Sequence, residues 1–273
     1  LFGLAIQITG EVLNAWSRTS GKLSASAEAR VAMNIIANDL EGIVVRNDGH
    51  EWFRAENDIL KEPANSKSVA LRFFSVIKNK PTDSKGITIP GEISAVAYNL
   101  HYVNPVDGSN RGEKAFVLYR LEVDPETTYR DLLDLSSRYK LPNKRSPNWG
   151  EGNLIKGTNG DNYLASNIVG FEIDFYVEDD GNRSTPRLYF NQHKKNPRRS
   201  VIYGGRDATI GPQAKLEHYQ RALAYADIKL TVLSEEGAEI MRNVAQRPET
   251  PADVIRLHSE EFIRRVHFPV KPF

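Results

Sequence analysis

Six histidines are the first side chains that could bind metal or move protons: His50, His101, His193, His218, His258 and His267. None stands at a recognised ligand spacing from another His or a carboxylate on an expected element, so no zinc site is expected. His101 and His267 fall in expected strands and read as hydrogen-bonded sheet residues. Two turns carry the oxygen density of a calcium loop, Asn159-Gly160-Asp161-Asn162 and Glu178-Asp179-Asp180. They make Asp161, Glu178, Asp179 and Asp180 the metal candidates, although both lack the full spacing of an EF-hand loop. A solvated turn is the simpler reading of each, since Gly beside clustered polar residues is what turns use. The run His193-Lys194-Lys195-Asn196-Pro197-Arg198-Arg199 could meet nucleic acid, anionic lipid or an acidic partner. A solvated hairpin loop is again simpler. Asp39 and Glu41, with Arg46, read as surface charges, while Glu28 and Arg30 pair with a neighbouring subunit or with nothing. The chain has no GxGxxG, Walker loop, HExxH or GxSxG, and nothing resembling a triad or a carboxylate pair. No catalytic residue and no cofactor are therefore expected.

The totals exclude more. The 273 residues hold 36 basic and 35 acidic side chains, a net charge of +1. A domain that draws its main affinity from a polyanion is usually markedly basic, so no nucleic-acid partner is expected. With no cysteine there is no disulfide, thiolate metal site or thiol nucleophile. Apolar residues make up 40% and charged residues 26%, which is globular composition.

The chain opens Leu1-Phe2-Gly3-Leu4-Ala5-Ile6 without an initiator Met. That opening reads as the stump of a longer apolar segment. No run of about eighteen apolar residues occurs, so nothing in these residues spans a bilayer by itself. Leu1, Leu4, Ala5, Ile8, Val12, Ala15, Trp16, Thr19 and Leu23 recur in steps of three and four, the spacing of one helix face. Ala25, Ala29, Met33, Ile36, Leu40 and Ile43 continue a second stripe. Asn47-Asp48-Gly49 is a stop signal. Residues 1 to about 45 are thus expected to form one helix, about 65 Å long at ~1.5 Å per residue. It is apolar all round at its start and amphipathic at its end, so part of it should protrude from a globular head.

Beyond residue 50 the period changes to that of strands. Ser68–Ile77, Glu92–Val103 and Ala115–Val123 are expected to form an antiparallel meander. Pro125 opens a short helix. Residues 141–161 are a long polar loop, an insertion or a functional loop. Asn162–Val177 reads as one strand, Arg187–Asn191 and Ser200–Tyr203 as short ones, and Leu216–Tyr225 as a short helix. Asp227–Leu233 is a strand. Ser234 and Thr250 each begin a helix, and Phe262–Phe268 closes the chain as a strand. The expected fold is α+β, a long N-terminal helix packed on antiparallel β-sheet. Residues 1–45 form the helix, with 1–10 the remnant of a membrane or filament-core segment, and 46–273 the globular head.

In this order the pieces resemble the type IV pilin-like proteins. The nearest resemblance is to large minor pseudopilins of the type II secretion J kind and to the pilin-like Verru_Chthon cassette proteins. The matching segments are Ala29-Arg30-Val31-Ala32-Met33-Asn34-Ile35-Ile36-Ala37-Asn38-Asp39-Leu40, Leu71-Arg-Phe-Phe-Ser75, Gly91–Tyr98, Val117–Arg120, Asn167–Phe171 and Phe262–Pro269. The 141–161 loop is unmatched. The resemblance implies a leader cut after Gly, an apolar half-helix and an assembly Glu, none of them within these residues. It also implies that Leu1, Leu4, Ile8, Val12, Trp16 and Leu23 face other subunits, while Met33, Ile36 and Leu40 face the head. The implied partners are other pilin-like subunits, and the inner membrane through the segment upstream. The implied location is the periplasm or cell envelope, anchored in the inner membrane before assembly, or the cell surface.

The function expected from these pieces is a non-catalytic minor subunit of a type IV pilus or a secretion pseudopilus. Apolar helix packing, first in lipid and then in protein, would supply it. Two competitors remain: an anchored periplasmic or surface-binding module using the 141–161 and 193–199 loops, and a hydrolase with an unrecognised site.

Overall fold

The computed structural model describes residues 21, 24–45, 52–60, 66–76, 91–133, 162–177, 187–188, 200–203, 223–243 and 248–268. Residues 24–41 form helix α1. Among the described residues ten strands follow: β1 Phe53–Leu60, β2 Ser66–Val76, β3 Ile93–Val103, β4 Ala115–Val123, β5 Tyr163–Ser166, β6 Ile168–Val177, β7 Arg187–Leu188, β8 Ser200–Tyr203, β9 Leu223–Leu233 and β10 Ser259–His267. Helix α2 (Pro125–Thr127), which runs into a wide π-helical turn at Thr128–Leu133, lies between β4 and β5. Helices α3 (Glu235–Arg242) and α4 (Pro251–His258) lie between β9 and β10.

The strands make two antiparallel sheets, β5-β4-β3-β2-β1-β8 and β10-β9-β6-β7. They face each other where β6 packs over β2. Phe53 meets Phe175 edge-on with centroids 5.0 Å apart, and Tyr98 lies 6.3 Å from Phe171. Burial runs unbroken along β3 from Ser94 to His101, so both faces of the first sheet are covered. Such a strand reads as a continuous apolar run rather than an alternating one. Thr128 helps close the outer face. Its hydroxyl accepts from the Ala95 amide at 3.0 Å and donates to the Val123 carbonyl at 3.0 Å.

The local signals explain the elements. Ser234 caps α3 by accepting from the Gly237 amide, which fills an otherwise orphaned donor. Thr250 and Asp253 form a reciprocal capping box on α4, with Pro251 in the first turn.

Four expectations change. The helix ends after Glu41, not near residue 45, because the next residues join the sheet. The Val44 amide donates to the Phe74 carbonyl and the Val76 amide to the Gly42 carbonyl, each at 2.8 Å. This approach needs a glycine, since a Cβ on Gly42 would sit 2.8 Å from Ser75 Oγ. Residues 162–177 are two strands, β5 in one sheet and β6 in the other. They part at Asn167, whose φ of 58° turns the chain while its carbonyl accepts from the Leu233 amide. Leu223–Tyr225 belong to β9 rather than to a helix, and residues 216–222 lie outside the described set. Finally β1 is a full strand that the pattern does not foresee.

The left-handed conformation at Asn167 makes a prediction. Asn167→Val should destabilise the fold by about 1–2 kcal/mol, because a β-branched side chain disfavours positive φ. Asn167→Gly should be neutral or slightly stabilising. Urea midpoints of the two variants measure this. Equal midpoints would mean the turn relaxes at no cost.

Candidate functional site

The polar side chains that reach furthest across the fold converge on α1, which lies between the two sheets. Its Ala29, Ala32, Met33, Ile36, Ala37 and Leu40 are buried in the core shared by both. Steps of three and four put these residues on one stripe, which is why the helix seats there. Burying Met33, Ile36 and Leu40 contributes about 2 kcal/mol each. No described residue before Ala29 is fully buried, so coverage fades toward the start of the helix.

On the first-sheet side Asp39 is the anchor. The Arg120 guanidinium donates to it twice, Nε to Oδ2 at 2.7 Å and Nη2 to Oδ1 at 3.0 Å. The Tyr98 hydroxyl donates to the same Oδ2. Ser75 Oγ donates to the Asp39 carbonyl at 2.8 Å, and Glu122 holds the far side of Arg120 at 2.7 Å. Burial, reinforced by the Asp39 charge, holds the Tyr98 phenol well above its ordinary pKa. Burial works against the Arg120 charge, yet its hydrogen bonds to Asp39 and the surrounding charges raise its pKa. The arrangement is an ion pair with a neutral donor, fit to clamp a helix.

Glu28 does the same one end along. Its carboxylate accepts from the Tyr163 hydroxyl at 2.8 Å, the Ser166 amide at 3.1 Å and Ser166 Oγ at 3.2 Å, all on edge strand β5. Burial comes first among the causes that push the Tyr163 phenol up to about 12, and the Glu28 carboxylate adds to it.

On the second-sheet side the partners come from β10. Ser26 Oγ donates to Glu260 at 2.9 Å, Arg30 lies 5.9 Å over the Phe262 ring, and Arg264 donates to Asn34 and approaches Glu41 at 3.7 Å. Residues 26, 30 and 34 therefore run beside 260, 262 and 264.

Several expected roles shift accordingly. Asp39 is no loose surface charge, since its side chain is 14% exposed and ion-paired. Glu28 and Arg30 have partners within the chain. Glu41 faces Arg264, and Arg46 lies outside the described residues. Met33, Ile36 and Leu40 sit in the core. Leu1, Leu4, Ile8, Val12, Trp16 and Leu23 lie outside the described residues, as do the calcium candidates Asp161, Glu178, Asp179 and Asp180 and the basic 193–199 run. His101 is buried in β3 and His267 exposed at the end of β10. Among the described residues no three His, Asp or Glu side chains gather as a metal site, and no helix is long and apolar enough to cross a membrane.

Sequence reasoning missed Tyr98, Arg120, Tyr163 and Ser166 as helix-holding residues. Their only signal was a polar group on strands otherwise built for burial. No family model and no curated protein matches the chain. Among solved structures it is similar to the type IV-like pilin TTHA1219 from Thermus thermophilus, at 10% identity over 89% of this chain and 96% of that one, with a TM-score of 0.37.

Proposed function

We propose that this chain is a non-catalytic, pilin-like subunit of an envelope filament, a type IV pilus or a secretion pseudopilus, and a minor or tip component of it. The observation that carries the reading is the α1 seam. The helix is held on both flanks by side chains from two sheets, while its coverage fades toward the N-terminus. A helix so fixed at one end can hand its other end to neighbouring subunits, and packing then does the work that a catalytic site would do elsewhere. The order of sequence segments that resembles pilin-like proteins supports the same reading. In it the subunit waits in the inner membrane and its partners are other pilin-like chains.

The absence of cysteine makes the test clean. Leu4→Cys/Ile8→Cys, with two thiols per chain and expressed in intact cells, should cross-link the chain into a ladder of pilin-like subunits. Adding Val12→Asp and Trp16→Asp to the same chain, which keeps both thiols, should abolish that ladder. A chain that stays monomeric with both cysteines in place would overturn the proposal.

A further inference from the structure

Strand β10 closes one side of the four-stranded sheet and has a neighbour only in β9 among the described residues. The hydrogen-bond phase shows which backbone groups point away from β9. At one end the Ser234 amide donates to the His258 carbonyl, and at the other the Phe268 amide donates to the Ala224 carbonyl. Both pairs continue the β10–β9 register, in which Ser259 faces Leu233 and His267 faces Tyr225. Hydrogen-bonded and open pairs alternate in an antiparallel ladder. The even-numbered residues therefore bond to β9, and Glu261, Ile263, Arg265 and His267 turn their amides and carbonyls outward, while the Ser259 amide donates back to the Ile255 carbonyl of α4. The contacts of α1 are with the even-numbered side chains Glu260, Phe262 and Arg264. In the middle of the free edge stands Ile263, 68% exposed.

Charges on a free edge usually prevent pairing with another chain. Here their spacing does the opposite. Glu261 and Arg265 lie symmetrically about Ile263. We propose that β10 is a homodimer edge, on which a second copy of this chain pairs antiparallel about a two-fold axis through Ile263. Glu261 then faces the second copy's Arg265, Arg265 faces its Glu261, and Ile263 meets Ile263. All these are odd-numbered residues with outward backbone groups, as the ladder requires. Within each copy Arg265 already pairs with Asp227 at 2.7 Å and Glu261 with Lys229 at 2.7 Å. Joining the edges makes a row of alternating charge, Asp227, Arg265, then the second copy's Glu261 and Lys229. The inner face opposes Phe262 to Arg264 and Glu260 to Val266, with no like charges facing.

Other registers fail. A slide of two residues sets Ile263 against Glu261 or Arg265 and breaks both ionic contacts. A parallel pairing opposes like with like, which destabilises a cross-strand pair. The charge pattern thus selects one partner and one register.

The test uses the full 273-residue chain. Sedimentation at rising concentration should show a mass climbing toward twice the 30.7 kDa of one chain. Ile263→Lys and Ile263→Glu, both at an exposed position, should each weaken association at least about tenfold by opposing like charges on the axis. Mixing the two variants should restore the dimer. Ile263→Cys should oxidise to a covalent dimer faster than Val106→Cys, on an exposed loop. A monomer at every concentration overturns the proposal, as does a dimer indifferent to Ile263→Lys. Association that survives Ile263→Lys but is lost in Leu4→Glu/Ile8→Glu belongs to the first helix, which supports filament packing and refutes the edge.

Discussion

Asp39→Ala should destabilise the fold by about 3 kcal/mol, the cost of leaving a largely buried charge without its partner. Arg120 is 20% exposed and would keep Glu122 and a 3.2 Å bond from Nε to the Tyr98 hydroxyl, while that hydroxyl would lose its own acceptor inside the core. Removing both ends of the pair should be milder than removing one, because the stranded charge carries most of the penalty. Asp39→Ala/Arg120→Met should therefore recover part of the loss, and the coupling is read from urea midpoints of the two singles and the double. Glu28→Ala should cost less, since its partners lie on an edge strand and Tyr163 is 36% exposed to solvent. An unmoved midpoint in Asp39→Ala would show that apolar packing alone seats the helix.

Phe53→Ala should cost about 4 kcal/mol. Phe53 is fully buried and packs on Phe175 of the facing sheet, so truncation opens a cavity between two layers that cannot both collapse into it. Phe175→Ala should cost a similar amount. The double variant should fall short of the sum by about 1 kcal/mol, the worth of the edge-on ring contact. Additive losses would mean the two rings act through separate neighbours. This pair reports on the sandwich and the Asp39 pair on the helix, so a melting probe placed on α1 should separate the two effects.

The elements that sequence patterning exposes are those whose signals are local. β4 runs from Ala115 to Val123 as the apolar run and its flanking turns dictate. α4 begins where Thr250, Pro251 and Asp253 supply a cap, a fixed φ and a reciprocal carboxylate. β1 is hidden because its own residues, FRAENDIL, lack apolar alternation, and although Ser66–Phe73 pairs with it locally, its other neighbour, Ser200–Tyr203, lies far along the chain. Asn167 is hidden because strand propensity continues on both sides of it, and only the presence of two sheets makes the chain change layers there. The seam is the least legible part. Asp39 meets Arg120 across 81 positions and Tyr98 across 59, and a lone acid on a helix looks solvated until a strand is laid against it. The stripe of Met33, Ile36 and Leu40, by contrast, is periodic and could be read directly.

The alignment of α1 with β10 has a mechanical consequence. Four helical residues advance about 6 Å and two strand residues about 6.7 Å, so the two ladders keep step for only a few rungs, like a vernier. The matches at 26 with 260, 30 with 262 and 34 with 264 give way by residue 41, where Glu41 turns back to Arg264. Sliding the helix by one turn would leave Asp39 away from Arg120 without bringing the rungs back into register. Tension along the helix axis thus loads the Asp39 clamp, the Glu28 bonds and the β10 contacts in shear, all at once. Pull across the axis would open them one by one. The seam therefore resists a lengthwise pull on α1 better than a sideways one.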